Sequence, residues 1–166
     1  LIEKSFVLMT IHREYNTNEE MLTKIFLDLE KINIDIIFPI HPRTKKSIEK
    51  HSFWEEFSSI KGLILTDSLG YLDFMKLVTN ASIVITDSGG IQEETTYLQI
   101  PCITVRENTE RPITITSGSN ELISLNASEI NDRVKSKLKE SNKGEIPKLW
   151  DGHSTERILE VLSNNI

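Results

Sequence analysis

Short runs of apolar, often β-branched residues alternate along the chain with segments whose apolar residues recur every three or four positions. Such runs are typical of strands buried on both faces, and the intervening periodicity is typical of helices that pack by one face. The predicted strands cover residues 6–11, 35–40, 63–65, 83–85, 101–105 and, as a short sixth strand, about 122–124. Regular alternation of strand and helix predicts a parallel sheet with helices on both faces, which is the doubly wound, Rossmann-like α/β class.

Helices are predicted from apolar stripes and from start signals. The first follows a capping box at residues 17–20. Its apolar face is formed by Met21, Leu22, Ile25, Leu29 and Ile32. Further helices are predicted over residues 44–50, 71–80, 89–98, after a second capping box at 126–129, and from 154 to about 163.

A single domain over residues 1–166 is the expected organisation. The only candidate boundary is the polar stretch 141–148 before the last helix, whose apolar face is formed by Ile158, Val161 and Leu162. Because the chain begins at Leu1 rather than at a methionine, we expect it to be part of a longer protein.

Composition and charge narrow the classes of function. Apolar residues make up 38% and charged residues 27% of the 166 residues, as in ordinary globular proteins. The net charge of −6 argues against a nucleic-acid surface, because no basic excess exists to neutralise phosphates. No run of about 18 apolar residues and no signal peptide are present, so no membrane association is expected and a cytoplasmic location is favoured. The single Cys102 excludes an internal disulfide and is expected to be a buried hydrophobe.

The segment 83–94 predicts a buried strand, a tight Ser88-Gly89-Gly90 turn and the start of a helix. Glycines allow backbone conformations closed to other residues and let a ligand approach closely. The free N–H groups and the positive dipole end of the following helix favour an anion, usually phosphate. Ser88 either caps the helix or donates its hydroxyl to the same anion.

Polar side chains follow the predicted strands at His12-Arg13-Glu14, His41-Pro42-Arg43, 87–90 and 106–111. In a parallel sheet these positions share the carboxyl edge, where ligands of open α/β sheets bind. His12 is either tied to the backbone or acts on a phosphate as a donor or acid–base group. For His41, ending its strand is the favoured interpretation. A metal site is not expected, because no carboxylate or thiolate stands at ligand spacing.

The remaining candidates have structural alternatives too. Glu93-Glu94 lies near the start of a helix, where the dipole favours carboxylates, but it is also placed to accept hydrogen bonds from a ribose diol. Arg106 and Arg111 either form ion pairs in a solvated loop or clamp a phosphate. Tyr71 and Phe74 are expected in the core by helical spacing, with contact to a base ring as the alternative.

Four motifs together resemble those of the UDP-N-acetylglucosamine 2-epimerase family. They are Thr10-Ile11-His12-Arg13-Glu14, His41-Pro42-Arg43, Thr86-Asp87-Ser88-Gly89-Gly90-Ile91-Gln92-Glu93-Glu94 and Thr109-Glu110-Arg111-Pro112, in the family's order and spacing. The family has the two-lobed GT-B fold, and this chain is similar to its C-terminal lobe, which binds the UDP moiety.

By this resemblance, the UDP-binding residues are Ser88, Gly89, Gly90, Glu94, Phe74 and Arg111. The serine and the glycines hold the phosphates, the glutamate binds the ribose hydroxyls, the phenylalanine lies near the uracil and the arginine helps to build the site. His12 sits at the diphosphate as a catalytically important group. In bacterial members the positions of Arg13 and His41 read a second, allosteric UDP-N-acetylglucosamine. The resemblance implies no cofactor.

The resemblance further implies an isomerase that interconverts UDP-N-acetylglucosamine and UDP-N-acetylmannosamine. UDP leaves by anti elimination, which gives 2-acetamidoglucal, and is re-added with a proton delivered to the opposite face of C2. The acid–base carboxylates and a phosphate-binding arginine belong to the family's N-terminal lobe, so this chain alone is expected to bind UDP weakly and to be inactive. Its expected partners are a UDP-sugar and that lobe. A homodimer is expected for the full-length protein, and a monomer is left open for this chain.

Other functions are compatible with the residues. A GT-B glycosyltransferase has a similar UDP-sugar-binding lobe, although the Thr109-Glu110-Arg111-Pro112 run favours the epimerase. A non-catalytic nucleotide-sugar-binding module needs the same site without turnover. A flavodoxin-like signalling domain would use Asp87 as a phosphoacceptor. Among epimerases, the run that begins at His41 is also similar to that of enzymes acting on modified UDP-sugars, such as diacetamido uronic acids.

Overall fold

Six parallel strands form one sheet in the computed structural model, which describes residues 6–124, 129–140 and 144–164. The strands are β1 (Phe6–Thr10), β2 (Asp35–Ile40), β3 (Leu63–Asp67), β4 (Ile83–Thr86), β5 (Cys102–Val105) and β6 (Asn120–Ile123). Their order across the sheet is β3-β2-β1-β4-β5-β6, and every neighbouring pair is parallel. This order confirms the predicted doubly wound, Rossmann-like class.

Helices connect the strands. They are α1 (Glu19–Leu29), α2 (Pro42–Lys50), α3 (Trp54–Ser59), α4 (Tyr71–Asn80), α5 (Gly89–Tyr97), α6 (Ile113–Thr116), α7 (Ile130–Lys139) and α8 (Ser154–Ser163). A 3-10 turn, Glu14–Asn16, follows β1. This turn, α3 and α6 are absent from the sequence prediction, because one or two helical turns are too short to show a periodicity.

The predicted cap of α1 is wrong by one residue. Asn18, rather than Thr17, is the N-cap, and its side-chain oxygen accepts a hydrogen bond from Met21 N at 3.0 Å. β6 also begins two residues before its predicted start at 122. Of the predicted capping box at 126–129, residues 126–128 lie outside the described residues, and the Glu129 side chain makes no cap hydrogen bond.

The helix α2 begins two residues before its predicted start at 44. Proline suits the first helical position, because its missing N–H has no helical partner there. His41 caps the helix, since its Nδ1 accepts a hydrogen bond from Arg43 N at 3.2 Å. His41 directly follows β2, which confirms the interpretation that it ends the strand.

Apolar side chains cover both faces of the sheet. In β1, Val7 and Met9 join the larger core cluster, which includes the inner faces of α1 and α7. Phe6 and Leu8 join the other cluster, together with Val78 of α4. The central strand is thus buried on both faces, as its uninterrupted apolar run predicts. Cys102 is fully buried as well, and burial raises the pKa of its thiol to about 11, which confirms the predicted role as a small hydrophobe.

The junction of β1 and β4 is the topological switch point of the sheet. Chain order runs outward from β1 through β2 to β3 on one side and from β4 through β5 to β6 on the other. Thr10 pairs in register with Thr86, so the two strands end side by side. Helices leaving the two halves in opposite directions open a crevice at the carboxyl edge of such a junction.

The last helix, α8, has no buried residue and carries an exposed apolar face. Ile158, Leu159, Val161 and Leu162 are each 52–61% exposed. An exposed apolar face of this kind is typical of a surface that another part of a protein covers. Neither α8 nor any other helix among the described residues has the length and apolarity that a membrane crossing requires.

The start of α7 is held by a carboxylate from α1. Asp28 is 1% exposed, and its Oδ2 accepts a hydrogen bond from Ile130 N at 3.0 Å. Lys31 Nζ lies 3.5 Å from the other carboxylate oxygen. Asp28 therefore satisfies a free N–H group in the first turn of α7, as a local cap would.

Replacing Asp28 with alanine should lower the free energy of unfolding by about 1–2 kcal/mol, because a buried helix N–H loses its acceptor. Asp28→Asn, which keeps an acceptor oxygen, should lose less. Urea denaturation measures both. Glu30→Ala at the exposed end of α1 is the charge-matched control and should stay within about 0.5 kcal/mol of the parent chain. Equal losses for Asp28→Ala and the control would contradict the capping role.

Candidate functional site

A cleft of about 360 Å³ opens at the carboxyl edge of the sheet, at the switch point. Its walls come from the ends of β1 and β2, the β3–α4 loop, the first turns of α4 and α5, and the Ser88-Gly89-Gly90 turn. Of the predicted site residues, the cleft brings together His12, His41, Phe74 and Ser88.

A larger cleft of about 460 Å³ is lined by Glu93, Glu94, Tyr97, Trp150 and Gly152. No strand end contributes to this lining, which is mainly acidic and aromatic. The smaller cleft is the better candidate site, because it joins two histidines, a helix N-terminus and an aromatic wall at the switch point.

Asp87, the first residue after β4, is fully buried and fastens the end of β1. Its carboxylate accepts hydrogen bonds from His12 N at 3.0 Å, Arg13 N at 2.8 Å and Asn16 Nδ2 at 3.1 Å. The His12 ring adds Nδ1, which lies 2.9 Å from Oδ1. In return, Arg13 Nε donates to the Asp87 carbonyl oxygen at 2.8 Å. We call these four residues the Asp87 clamp.

Two opposing effects set the charge of Asp87. Burial raises its pKa, but hydrogen bonds from His12, Arg13 and Asn16 outweigh burial, so the pKa lies below its ordinary value. The side chain is therefore a carboxylate at neutral pH. Because it is fully buried and both oxygens accept hydrogen bonds, its geometry argues against the phosphoacceptor that a flavodoxin-like signalling domain would need.

Sequence reasoning missed the structural roles of Asp87 and Asn16. Asn16 is 3% exposed, and its Nδ2 donates to Val105 O at 3.0 Å as well as to Asp87. It therefore joins the ends of β1, β4 and β5. The available signal was an aspartate directly continuing a buried apolar strand, because a carboxylate at that depth requires several donors.

The two histidines stand together at the cleft, with ring centroids 5.2 Å apart. Burial, the neighbouring His12 and Arg43 lower the pKa of His41. Since His41 Nδ1 accepts a hydrogen bond, the proton of the neutral ring is on Nε2, which is then a donor. His12 Nδ1 faces Asp87, so Nε2 is the His12 nitrogen left for a ligand. Among the described residues, no three His, Cys, Asp or Glu side chains are grouped as a metal site requires.

The Ser88-Gly89-Gly90 turn differs from its prediction in two respects. Ser88 is the N-cap of α5 by position, but its hydroxyl makes no cap hydrogen bond, so the capping alternative is wrong. Positive φ angles among the described glycines occur at Gly62, Gly144 and Gly152. Gly89 and Gly90 therefore need no unusual backbone conformation, and at Gly89 the reason for glycine is space rather than φ.

Space at Gly89 is taken by Arg111. A Cβ atom at Gly89 would lie 3.0 Å from Arg111 Nη1 and 3.2 Å from its Cζ. Arg111 Nε also lies 3.0 Å from Glu93 Oε1, an ion-pair distance, although Nε donates no hydrogen bond within the described part of the chain. The guanidinium thus lies against the turn and is held by the helix that the turn begins.

A buried polar network positions the loop that carries Arg111. Gln92 is fully buried, and its Oε1 accepts a hydrogen bond from Thr109 Oγ1 at 2.6 Å. Thr109 Oγ1 in turn accepts from Arg111 N at 3.0 Å, and Arg111 O accepts from Thr114 Oγ1 at 2.8 Å. Asn120 Nδ2 lies 3.3 Å from Gln92 Oε1 and 3.2 Å from Thr114 Oγ1. Sequence reasoning missed this network, because threonine and asparagine also fit an exposed loop.

Arg106 is a buried member of an ion pair. It is 6% exposed and makes two hydrogen bonds of 2.8 Å to the Glu110 carboxylate. The pair lowers the pKa of Glu110 to about 2. For Arg106, the predicted ion pair is confirmed, but the predicted solvated setting is wrong, because the arginine side chain is buried.

Phe74 lines the smaller cleft, whereas Glu94 lines the larger one and is reached from the smaller cleft through Tyr71. Phe74 is partly buried against the smaller core cluster and also lines the cleft. Tyr71, expected in the core, is 66% exposed, because as the first residue of α4 it faces the cleft rather than the core. Its hydroxyl donates to Glu94 Oε1 at 3.1 Å.

Comparison with known proteins agrees with this architecture. The family model described as UDP-N-acetylglucosamine 2-epimerase matches residues 1–163. A curated UDP-N-acetylglucosamine 2-epimerase of Methanocaldococcus jannaschii is 38% identical over 98% of this chain and 46% of its own length. A UDP-2,3-diacetamido-2,3-dideoxy-D-glucuronate 2-epimerase of Pseudomonas aeruginosa is 32% identical over 97% of this chain and 45% of its own length.

Solved structures give the same result. The crystal structure of the Methanocaldococcus jannaschii enzyme in complex with UDP-GlcNAc and UDP superposes with a TM-score of 0.85 at 37% identity, covering 98% of this chain and 46% of that one. The chain therefore belongs to the UDP-N-acetylglucosamine 2-epimerase family. It spans about half the length of the relatives that it matches.

Replacing Asp87 with asparagine should lower the free energy of unfolding by about 2–4 kcal/mol at pH 7, because the clamp's donors lose an ionised acceptor. The lowered pKa of Asp87 means that its stabilisation is complete above the unfolded-state value and is lost as the pH falls through the folded-state value. The difference in the free energy of unfolding between the parent chain and the variant should therefore become smaller below about pH 4. Urea denaturation from pH 7 to pH 3 measures it.

Asp67→Asn at the end of β3 is the matched control for this prediction. The Asp67 side chain is 86% exposed and pairs with Lys45 at 2.9 Å, so its loss should cost under about 1 kcal/mol. If the stability loss caused by Asp87→Asn stays constant from pH 7 to pH 3, the Asp87 side chain is not an ionised, hydrogen-bonded carboxylate.

Proposed function

We propose that this chain is the UDP-binding C-terminal lobe of a UDP-N-acetylglucosamine 2-epimerase with the GT-B fold, a single domain over residues 1–166. The carrying observation is the cleft at the β1–β4 switch point, where His12, His41, Phe74 and Ser88 converge at the N-terminus of α5. Membership of the epimerase family favours this proposal over a GT-B glycosyltransferase or a non-catalytic nucleotide-sugar module.

The diphosphate is proposed to bind at Ser88, Gly89 and Gly90. The first N–H groups of α5 and its dipole favour an anion there. The Ser88 hydroxyl adds a donor, because it does not cap the helix. His12 is proposed to reach the diphosphate through Nε2, with its ring oriented by Asp87. These groups act on the negative charge that develops as UDP leaves.

The nucleoside is proposed to lie along α4 and α5. Phe74 supplies an aromatic face for the uracil, and Glu94, just over one helical turn beyond the phosphate groups, accepts hydrogen bonds from the ribose hydroxyls. Arg111 is proposed to shape the site from behind Gly89, where it lies within van der Waals reach of the turn.

Arg13 and His41 are proposed to read a second, allosteric UDP-N-acetylglucosamine. Arg13 Nε is bound to the Asp87 carbonyl oxygen, so a ligand would meet its terminal nitrogens. His41 offers Nε2 as a donor at the cleft. Arg13 is itself part of the Asp87 clamp through Nε, and the centroid of the His41 ring lies 5.2 Å from that of the His12 ring, so a ligand bound to either would be coupled to the diphosphate site.

The proposed reaction of the whole protein is epimerisation at C2 by elimination and re-addition. A base removes the C2 proton, the electron pair forms the C1–C2 double bond of 2-acetamidoglucal, and the C1–O bond to UDP breaks. UDP then re-adds at C1 while a proton reaches the opposite face of C2. Acid–base carboxylates and a phosphate-binding arginine are proposed to come from an N-terminal lobe.

The exposed face of α8 is proposed to dock on that lobe. The face is apolar and exposed, and Leu149, Ile158, Val161 and Leu162 line a cleft of about 400 Å³ on it. The whole protein is proposed to be a cytoplasmic homodimer. Its substrate is either UDP-N-acetylglucosamine or a modified UDP-sugar, since relatives of both kinds match this chain.

A UDP titration followed by amide NMR shifts tests the proposed binding site. The amide shifts should concentrate at residues 10–13 and 86–94. They should saturate only at roughly millimolar UDP, because one lobe alone supplies the donors and the affinity is weak. Ser88→Ala and His12→Ala should each weaken binding about three- to tenfold, since each removes one hydrogen-bonding group. No response near the Ser88-Gly89-Gly90 turn would sink the proposal.

Ser59→Ala and His51→Ala are the matched controls for that titration. Ser59 ends α3 and donates to a carbonyl of its own helix, and His51 faces Glu19 at 3.4 Å. Neither lines the cleft, so both variants should bind UDP as the parent chain does.

The 166-residue chain alone should not epimerise UDP-N-acetylglucosamine, because the proposed proton-transfer groups belong to another lobe. Incubation in deuterium oxide gives a sensitive readout, since reversible removal of the C2 proton would exchange it for deuterium. Appearance of UDP-N-acetylmannosamine or deuterium at C2 with the purified chain would refute the assignment of that chemistry to the other lobe.

A further inference from the structure

We infer that the Tyr71 hydroxyl is a positioning group for Glu94, which it orients so that the second carboxylate oxygen faces the ribose of the nucleotide. The inference rests on the proposed function and deepens it by adding a residue that nothing in the family motifs assigns. It begins from one contact, in which Tyr71 Oη donates to Glu94 Oε1 at 3.1 Å.

The two oxygens of Glu94 have different surroundings. Oε1 accepts the tyrosine hydrogen bond, whereas Oε2 is buried and has no hydrogen-bond partner in the described part of the chain. A buried carboxylate oxygen without a donor is costly, so such atoms are uncommon unless a ligand satisfies them. Oε2 is therefore the oxygen that awaits the O–H donors of a ribose diol.

Tyr71 also joins two walls of the site. It is the first residue of α4 and lines the cleft together with Phe74, three positions further along the same helix. Glu94 belongs to α5, which begins at the phosphate turn. The hydroxyl thus links the wall proposed for the base to the residue proposed for the ribose.

The tyrosine remains a donor at neutral pH. Its hydrogen bond to Glu94 raises the pKa of the phenol above the ordinary value, since ionisation would place two negative charges side by side. A phenol has two rotatable side-chain angles, so it fixes Glu94 at little entropic cost. Without the hydroxyl, the carboxylate of this partly buried glutamate gains rotational freedom at the moment when the ribose must meet it.

The test compares UDP with 2′-deoxyUDP, because the deoxy analogue lacks one O–H donor to Glu94. NMR titration of the 166-residue chain gives both affinities. We expect the parent chain to prefer UDP by about tenfold or more, as for a hydrogen bond to a charged group. In Tyr71→Phe the UDP affinity should fall about threefold or more while the deoxy affinity changes little, so the preference narrows.

Two further variants separate positioning from a structural effect. Tyr97→Phe removes the hydroxyl of a tyrosine on the same helix as Glu94 and should leave the preference unchanged. Glu94→Gln should reduce the preference by itself, and adding Tyr71→Phe to it should change the preference no further, because the hydroxyl acts through the carboxylate.

Each outcome decides something different. A normal UDP preference that Tyr71→Phe leaves intact would overturn the inference and keep the proposed function. Equal affinity of the parent chain for the two nucleotides would show that Glu94 does not bind the ribose hydroxyls, and it would overturn the inference. No binding of UDP by the parent chain would overturn the proposed function as well.

Discussion

The buried carboxylate of Asp87 is the contact on which the geometry of the candidate site depends. β1 and β4 pair as far as Thr10 and Thr86, and beyond that point the sheet no longer holds the chain. Beyond these strand ends, Asp87 holds the chain in place, because its carboxylate accepts hydrogen bonds from two backbone N–H groups, a side-chain amide and the His12 ring. A charge at this depth is tolerated only because its donors are complete, so the loop after β1 has one favourable arrangement. The orientation of His12 follows from the same contact.

Polar groups around the cleft fall into two kinds, and the difference has a physical meaning. Asp87, Gln92 and Arg106 are buried and bound to groups of the chain itself, which fixes the loops that carry them. The Ser88 hydroxyl and Glu94 Oε2 are left without such bonds by the described residues. Buried polar contacts thus hold the loops in place, while a few polar atoms remain available to a ligand. Such a preorganised site favours binding, because its loops are already ordered in the folded protein and lose little entropy when the ligand binds.

Periodicity predicts the sheet class and most elements here because the strands are long apolar runs and the main helices have clear stripes. It fails where tertiary contacts decide. The two turns of α3 and the single turn of α6 carry too few residues for a stripe, and the partner of Ile130 N is Asp28, about a hundred positions away. At the site, the motifs identify Ser88 and His12 as candidates, but no local pattern predicts that Asn16 reaches Val105 or that Tyr71 leaves the core to meet Glu94. Helical spacing places a side chain on a face, and only the packing of whole helices decides what that face meets.

The chain carries a net charge of −6, but the charge close to the cleft matters more to a diphosphate than the net charge does. Two carboxylates near the turn are paired with arginines, Glu93 with Arg111 and Glu110 with Arg106, and the buried Asp87 carboxylate accepts hydrogen bonds from His12, Arg13 and Asn16. An arginine beside a carboxylate offsets much of its field, and salt screens what remains beyond about 10 Å. What remains in front of Ser88 is the positive end of α5 and a set of N–H and O–H donors. Such donors select and orient a phosphate but bring no full positive charge, so tight binding of UDP should require cations from outside the described residues.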